Sequence, residues 1–255
     1  MATSKYPSES VELPSKGWYY PPDHPLSAGT IDLYYMSAKH EDILTSKNLI
    51  EKGIAIDRLM EALIVNEQIS YDDLLIGDKN GILVAARIMG YGKEYPISVV
   101  CPHCDSVNNL TVDLEQMADR TVIMDPDLKG KRDGFKFTLP VSKKVVQIKL
   151  FNHKDDKTLR KTIDSLEQKA GIQILPEVTL RLKHMIVAID GNSDRDMISE
   201  FAENMSVRDS LALRHYVKTI SPDINLSFNF ICHTCNQTDD RMGVPIDVNF
   251  FWPNI

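Results

Sequence analysis

Residues 95–100 are apolar and partly β-branched, a Cys-Pro-His-Cys turn follows, and residues 109–114 resume an alternation of apolar and polar positions. That order predicts strand, knuckle, strand. The unit recurs near the other end of the chain. There Leu226, Phe228 and Phe230 alternate with Asn225, Ser227 and Asn229, a Cys-His-Thr-Cys turn follows, and residues 244–252 are again strand-like. Between Cys104 and Cys232 lie 127 residues. Residues 135–139 and 145–151, joined by Pro140-Val141-Ser142, read as a further hairpin, and residues 31–36 as a single strand.

Helical spacing governs most of the rest. Ser37 is placed to cap a helix running to about Lys52, with Ile43, Leu44 and Ile50 inward and Gly53 as its stop. A second helix follows Asp57, with Leu59, Met60, Leu63 and Ile64 on one face, and a third spans residues 78–89. Residues 155–169 form an amphipathic pattern ended by Ala170-Gly171, and Pro176 suits a first helical position. Residues 178–189 fit both the helical and the strand period. Asp190-Gly191-Asn192 reads as a helix-ending turn, because Gly and Asn tolerate positive φ. Ser193 or Asp194 caps a helix carrying Ile198, Phe201 and Ala202. Ser206, with Asp209 three residues on, starts another that carries Leu211, Leu213 and Tyr216 before Pro222 closes the block. The expected class is α+β, helical segments with β-hairpins.

Residues 1–28 hold Pro7, Pro14, Pro21, Pro22 and Pro25, a composition expected to bar helix and ladder alike. They are expected to form an extended N-terminal arm ahead of a single α+β domain over residues 29–255. Leu13, Trp18, Tyr19 and Tyr20 make the arm too apolar for a free tail, so it lies on its own domain or on a neighbour. The closing Phe250, Phe251 and Trp252 present the same choice between core and contact surface.

Cys101, Cys104, Cys232 and Cys235 are the only cysteines, and all four sit in Cys-x-x-Cys pairs. No secretory leader is visible at the start, so the sequence favours a reducing compartment and metal over disulfides. A knuckle presents two sulfurs from one side, and two knuckles complete a tetrahedron around one structural zinc ion. The implied zinc-ribbon-like module is formed by residues 95–115 and 225–253. A thiol redox pair would instead open a helix after a strand, and each pair here is flanked by strands. His103 and His233 lie inside the turns and are alternative ligands. Four thiolates leave no position open for activating water, so the ion would hold structure.

The net charge of −7 opposes binding to phosphate backbones and acidic membranes, and the longest apolar run, residues 82–86, is too short to span a bilayer. Lys129, Lys131, Arg132, Lys136, Lys143 and Lys144 concentrate positive charge, but no aromatic ladder is interleaved for base stacking. The chain contains no phosphate loop, no His-Glu-x-x-His and no nucleophile elbow. His24, His40, His153, His184 and His215 are scattered without a carboxylate or nucleophile that sequence places beside them. Nothing in these residues points to an enzyme or to a small-molecule substrate.

Leu13-Pro14-Ser15-Lys16-Gly17, the pair Cys101 and Cys104, Ile189-Asp190-Gly191, the pair Cys232 and Cys235, and Asn249-Phe250-Phe251-Trp252-Pro253 together resemble the baseplate hub and hub-assembly proteins of T-even-like contractile-tailed bacteriophages. The resemblance covers nearly the whole chain. It implies a non-enzymatic structural or assembly protein made in the host cytoplasm and acting on other tail and hub proteins, either as a hub component of the virion or as an assembly factor. The competing expectation is a zinc-ribbon adaptor for nucleic acid or polymerase, against which the acidic balance speaks.

Overall fold

The computed structural model describes residues 6–120, 122, 124–170, 176–246 and 248–251. Strand β1 (Ser8–Glu12) pairs antiparallel with β2 (Thr30–Tyr34), Val11 opposite Ile31. The ladder that prolines were expected to bar therefore forms, in the proline-free stretch between Pro7 and Pro14. The segment after β1 packs inward: Leu13, Tyr19 and Leu26 are fully buried.

Helices α1 (Ala38–Thr45) and α2 (Lys47–Glu51) replace the single helix expected over 37–52. Ser46 is extended and its carbonyl starts α2, a role serine takes more readily than a helix interior. The break turns Ile50, expected inward, out to solvent. Helix α3 (Ala55–Leu63) buries Leu59, Met60 and Leu63 as its spacing requires. Helix α4 (Ile76–Tyr91) begins two residues before the expected position.

Strands β3 (Glu94–Val100) and β4 (Val107–Asp113) form the first knuckle hairpin. Next come β5 (Asp133–Thr138), β6 (Val145–Lys149), helix α5 (His153–Ala170) and helix α6 (Glu177–Met185). Residues 178–189 realise both periods: α6 runs directly into β7 (Ile186–Ile189), which adds to β6 and completes a three-stranded sheet in the order β5-β6-β7. The Asp190-Gly191 turn, both residues at positive φ, therefore ends a strand and not a helix. Asp194 and Ser206 cap α7 (Arg195–Glu203) and α8 (Val207–Ile220).

The last hairpin pairs β8 (Ser227–Ile231) with β9 (Thr238–Gly243). The second strand was expected over 244–252. It comes earlier because an antiparallel partner must start as soon as the cysteine turn closes, and Pro245 then denies the ladder a donor. Residues Val248–Phe251 form a short 3₁₀ turn that buries Phe250 and Phe251, with Phe250 edge-on to Tyr95 at 5.0 Å. Those two rings are core; Trp252, expected beside them, lies outside the described residues.

One buried carboxylate ties the N-terminal segment to α4. Asp78 accepts from the Ser15 amide at 2.8 Å, the Ser15 hydroxyl at 2.7 Å and the Tyr20 hydroxyl at 2.6 Å, and the Tyr20 oxygen accepts in turn from the Leu75 amide. Near it, Gly77 permits a close approach: a Cβ there would stand 1.8 Å from the Pro222 carbonyl oxygen. The start of α4 is thereby seated against the turn that follows α8.

Candidate metal centre

The two knuckles are copies in backbone as well as in sequence. In the first, the Cys101 amide donates to Ser106 O and the Asp105 amide to Cys101 O; in the second, the Cys232 amide donates to Gln237 O and the Asn236 amide to Cys232 O. Asp105 (φ 56°) and Asn236 (φ 58°) both occupy the left-handed region, which Asp and Asn enter at lower cost than other residues with a side chain. Each turn also aims an amide at its first sulfur: His103 N at Cys101 Sγ and Thr234 N at Cys232 Sγ, both 3.4 Å.

The fold brings the two turns face to face across the intervening chain. Cys101 Sγ lies 3.7 Å from Cys235 Sγ, Cys104 Sγ lies 3.7 Å from Cys232 Sγ, and all four sulfurs lie within 4.8 Å of one another. A disulfide would require about 2.05 Å. A tetrahedron with metal–sulfur bonds of about 2.3 Å has sulfur–sulfur edges of roughly 3.8 Å, so the thiol quartet has the dimensions of a metal site. The cluster contains no histidine, and the His103 and His233 side chains are exposed.

Two residues that the sequence did not single out complete the centre. Ser106 Oγ lies 3.1 Å from Cys104 Sγ and 3.3 Å from Cys232 Sγ. Asn108, buried on β4, reaches across with Nδ2 3.6 Å from Cys232 Sγ and accepts the His233 amide at 2.9 Å. Polar side chains two and four residues after a Cys-x-x-Cys pair are the only sequence signal for them.

Hydrogen bonding from Ser106 lowers the Cys104 thiol and, with backbone amides assisting, brings Cys232 down to about 5. Cys235 moves the other way, to about 12: the Gln237 amide pulls it down, but burial and the neighbouring sulfurs outweigh that pull. Cys104, Cys232 and Cys235 influence one another's titration through their close sulfurs. The Cys232 thiolate forms easily, and Cys235 resists ionisation without a cation beside it.

Elsewhere, the buried His153 has its Nε2 3.1 Å from the half-buried Asp57, a histidine–carboxylate pair that the sequence did not reveal because the partners are on separate helices. The His153 ring also packs at a tilt of 54° against Tyr71, centroids 4.6 Å apart, and its pairing with Asp57 joins α3 to α5. The basic run is dispersed: Arg132 pairs with Asp155, Lys144 with Asp190, and Lys129 lies over the Trp18 ring. Among the described residues no helix is long and apolar enough to cross a membrane.

A family model described as T4 bacteriophage base plate protein matches residues 10–252. No curated protein and no solved structure gives a significant match. The matched stretch starts within β1 and takes in both knuckles and the buried Phe250 and Phe251, so the resemblance noted from the sequence extends over the fold as a whole. The chain belongs to the family of T4 bacteriophage base plate proteins.

Proposed function

We propose that this baseplate protein is a non-enzymatic component or assembly factor of the central hub, in which one zinc ion on Cys101, Cys104, Cys232 and Cys235 locks the knuckles into a zinc-ribbon-like module. The observation that carries the metal reading is the duplicated knuckle geometry with its 3.7 Å cross-turn sulfur contacts. Four soft thiolate donors in a closed tetrahedron suit zinc, fill its coordination shell and leave no position for substrate or water. When bound, the ion supplies cross-linking and no reaction. Ser106 and Asn108 would orient the sulfurs and compensate their charge.

Membership of the family places the partners among other baseplate proteins, and the hub-specific role rests on the resemblance of the motifs spread along the chain. Synthesis and folding would take place in the host cytoplasm, where thiols remain reduced. No observation favours a nucleic-acid adaptor: the first knuckle is flanked by Asp105 and the second by Asp239 and Arg241.

Elemental analysis of protein purified without chelator tests the metal: one zinc per chain is expected, and metal-free protein with four freely titrating thiols would overturn it. Affinity capture from infected cells tests the hub role. Co-purification of central hub proteins supports it, and exclusive recovery of peripheral baseplate proteins would refute it while leaving the metal reading untouched.

A further inference from the structure

A cleft of about 350 Å³ opens between the start of α4, the end of β6, α6 and the C-terminal half of α8. Its walls carry Arg120, Lys149, Arg181, Arg214 and Lys218 against one lining carboxylate, Asp223. This is a concentration of positive charge in a chain whose net charge is −7. Arg120 is matched by Asp223 at 3.4 Å, and Lys149 shares Asp155 with Arg132. Among the described residues, Arg181, Arg214 and Lys218 form no ion pair. Three cations without counter-charge face one small volume.

Helical spacing builds the arrangement. Arg214 and Lys218 are four residues apart on α8 with Val217 beside them, and Arg181 and Met185 are four apart on α6, so each helix directs cationic and apolar groups to the same side. Phe151 lies between the two systems, its ring centroid 5.9 Å from Lys149 Nζ and 5.9 Å from the Arg181 guanidinium carbon.

We infer that this cleft binds an acidic peptide segment of a partner protein, its carboxylates on Arg181, Arg214 and Lys218 and an apolar side chain against Phe151, Met185 and Val217. Arginine forks match carboxylates in two-bond geometry, and a cavity at the small end of the ligand-pocket range, about 300–1,000 Å³, suits a few side chains and not a domain. Nucleic acid fits the same walls poorly. The one aromatic ring in the lining is already engaged by two cations, which leaves no stacking platform, and the cleft is too short to track a backbone. The inference depends neither on the metal nor on the hub assignment.

Fluorescence anisotropy with the full chain tests it, using a short labelled peptide of alternating glutamate and leucine, the same peptide with glutamine for glutamate, and a labelled single-stranded oligonucleotide. Saturable binding of the glutamate peptide is expected, weakened by salt and lost with glutamine. R181Q/K218Q should bind at least about tenfold more weakly while keeping its far-UV circular dichroism, because both side chains are exposed. Arg214→Gln supplies an independent variant should the double one misfold. Absence of saturable peptide binding, unchanged affinity in folded variants, or tighter binding of the oligonucleotide would each overturn the proposal.

Discussion

The joint around Asp78 and the joint around the four cysteines both close long loops, with opposite means. At the first, Ser15 and Tyr20 meet α4 inside a core that includes the fully buried Leu13, Leu26, Leu33 and Leu59. At the second, the strands leading into the knuckles carry Val100, Val107 and Ile231 at 58%, 66% and 61% exposure. Val99 and Phe230 on those strands turn inward, but within the turns 101–106 and 232–237 only Cys101 and Cys232 are buried, with Asn108 beside them. Where apolar area is plentiful, one fully hydrogen-bonded carboxylate suffices to fix the geometry. Two hairpin tips projecting into water bury little apolar area against each other; Asn108 bridges them by hydrogen bonds, and the proposed shared ion would supply the rest of the contact.

Metal removal breaks this comparison hardest. Structural zinc contributes on the order of 10 kcal/mol in small thiolate sites, as much as the whole stability of many domains. Chelation, or Cys232→Ser, is expected to abolish amide-exchange protection across β3-β4 and β8-β9 and to leave the amides of α4 protected. Equal loss at both joints would show that the core does not stand without the ion. Asp78→Ala is the complementary cut. It strands three buried donors, the Ser15 amide and the Ser15 and Tyr20 hydroxyls, and should cost about 3–5 kcal/mol in denaturant midpoint with metal stoichiometry unchanged.

The two joints were unequally legible. Four cysteines in two pairs announce their chemistry by residue type and spacing, whatever the fold around them. Asp78 is one acidic residue near a helix start, a place where carboxylates usually face water. Its partners, 63 and 58 residues upstream, are set by packing. The caps at Asp194 and Ser206 were readable because capping is a local exchange between a side chain and an amide three residues on. The strand after the second knuckle was misplaced because residues 244–252 are more apolar than Thr238–Gly243. Register, fixed by the turn, outweighed hydrophobicity. The cleft was not legible at all, since its cations come from segments far apart in the chain, among them β6, α6 and α8, that only the fold brings together.

Asn108→Ala weakens the sulfur joint without touching a ligand. It removes the acceptor of the His233 amide and the Nδ2 contact to Cys232, so the second knuckle loses its tether to β4. Residues orienting metal ligands typically contribute about 10–100-fold in affinity. A chelator competition should therefore show tighter retention in the parent by that factor. An unchanged competition curve would mean that the sulfurs hold their own positions.

The smallest expected effect is one of sign. Burial raises the Asp78 carboxyl above the usual carboxylate range, against the pull of its hydroxyl and amide donors. A raised folded value means that the protonated form favours the native state, so this contribution is complete below the unfolded value near 3.9 and fades as pH rises through the folded one. Cys232 is displaced oppositely, down to about 5, so its contribution is present above the unfolded thiol value near 8.5 and is lost as pH falls through about 5. Thiolate protonation also releases metal. Acidification from neutrality toward pH 4 should thus open the knuckles while the Asp78 joint holds. Amide exchange followed at both sites along one pH series reads this directly. Loss of α4 protection ahead of the knuckles would show that the carboxylate stabilises the joint as an anion, reversing the sign assigned to it.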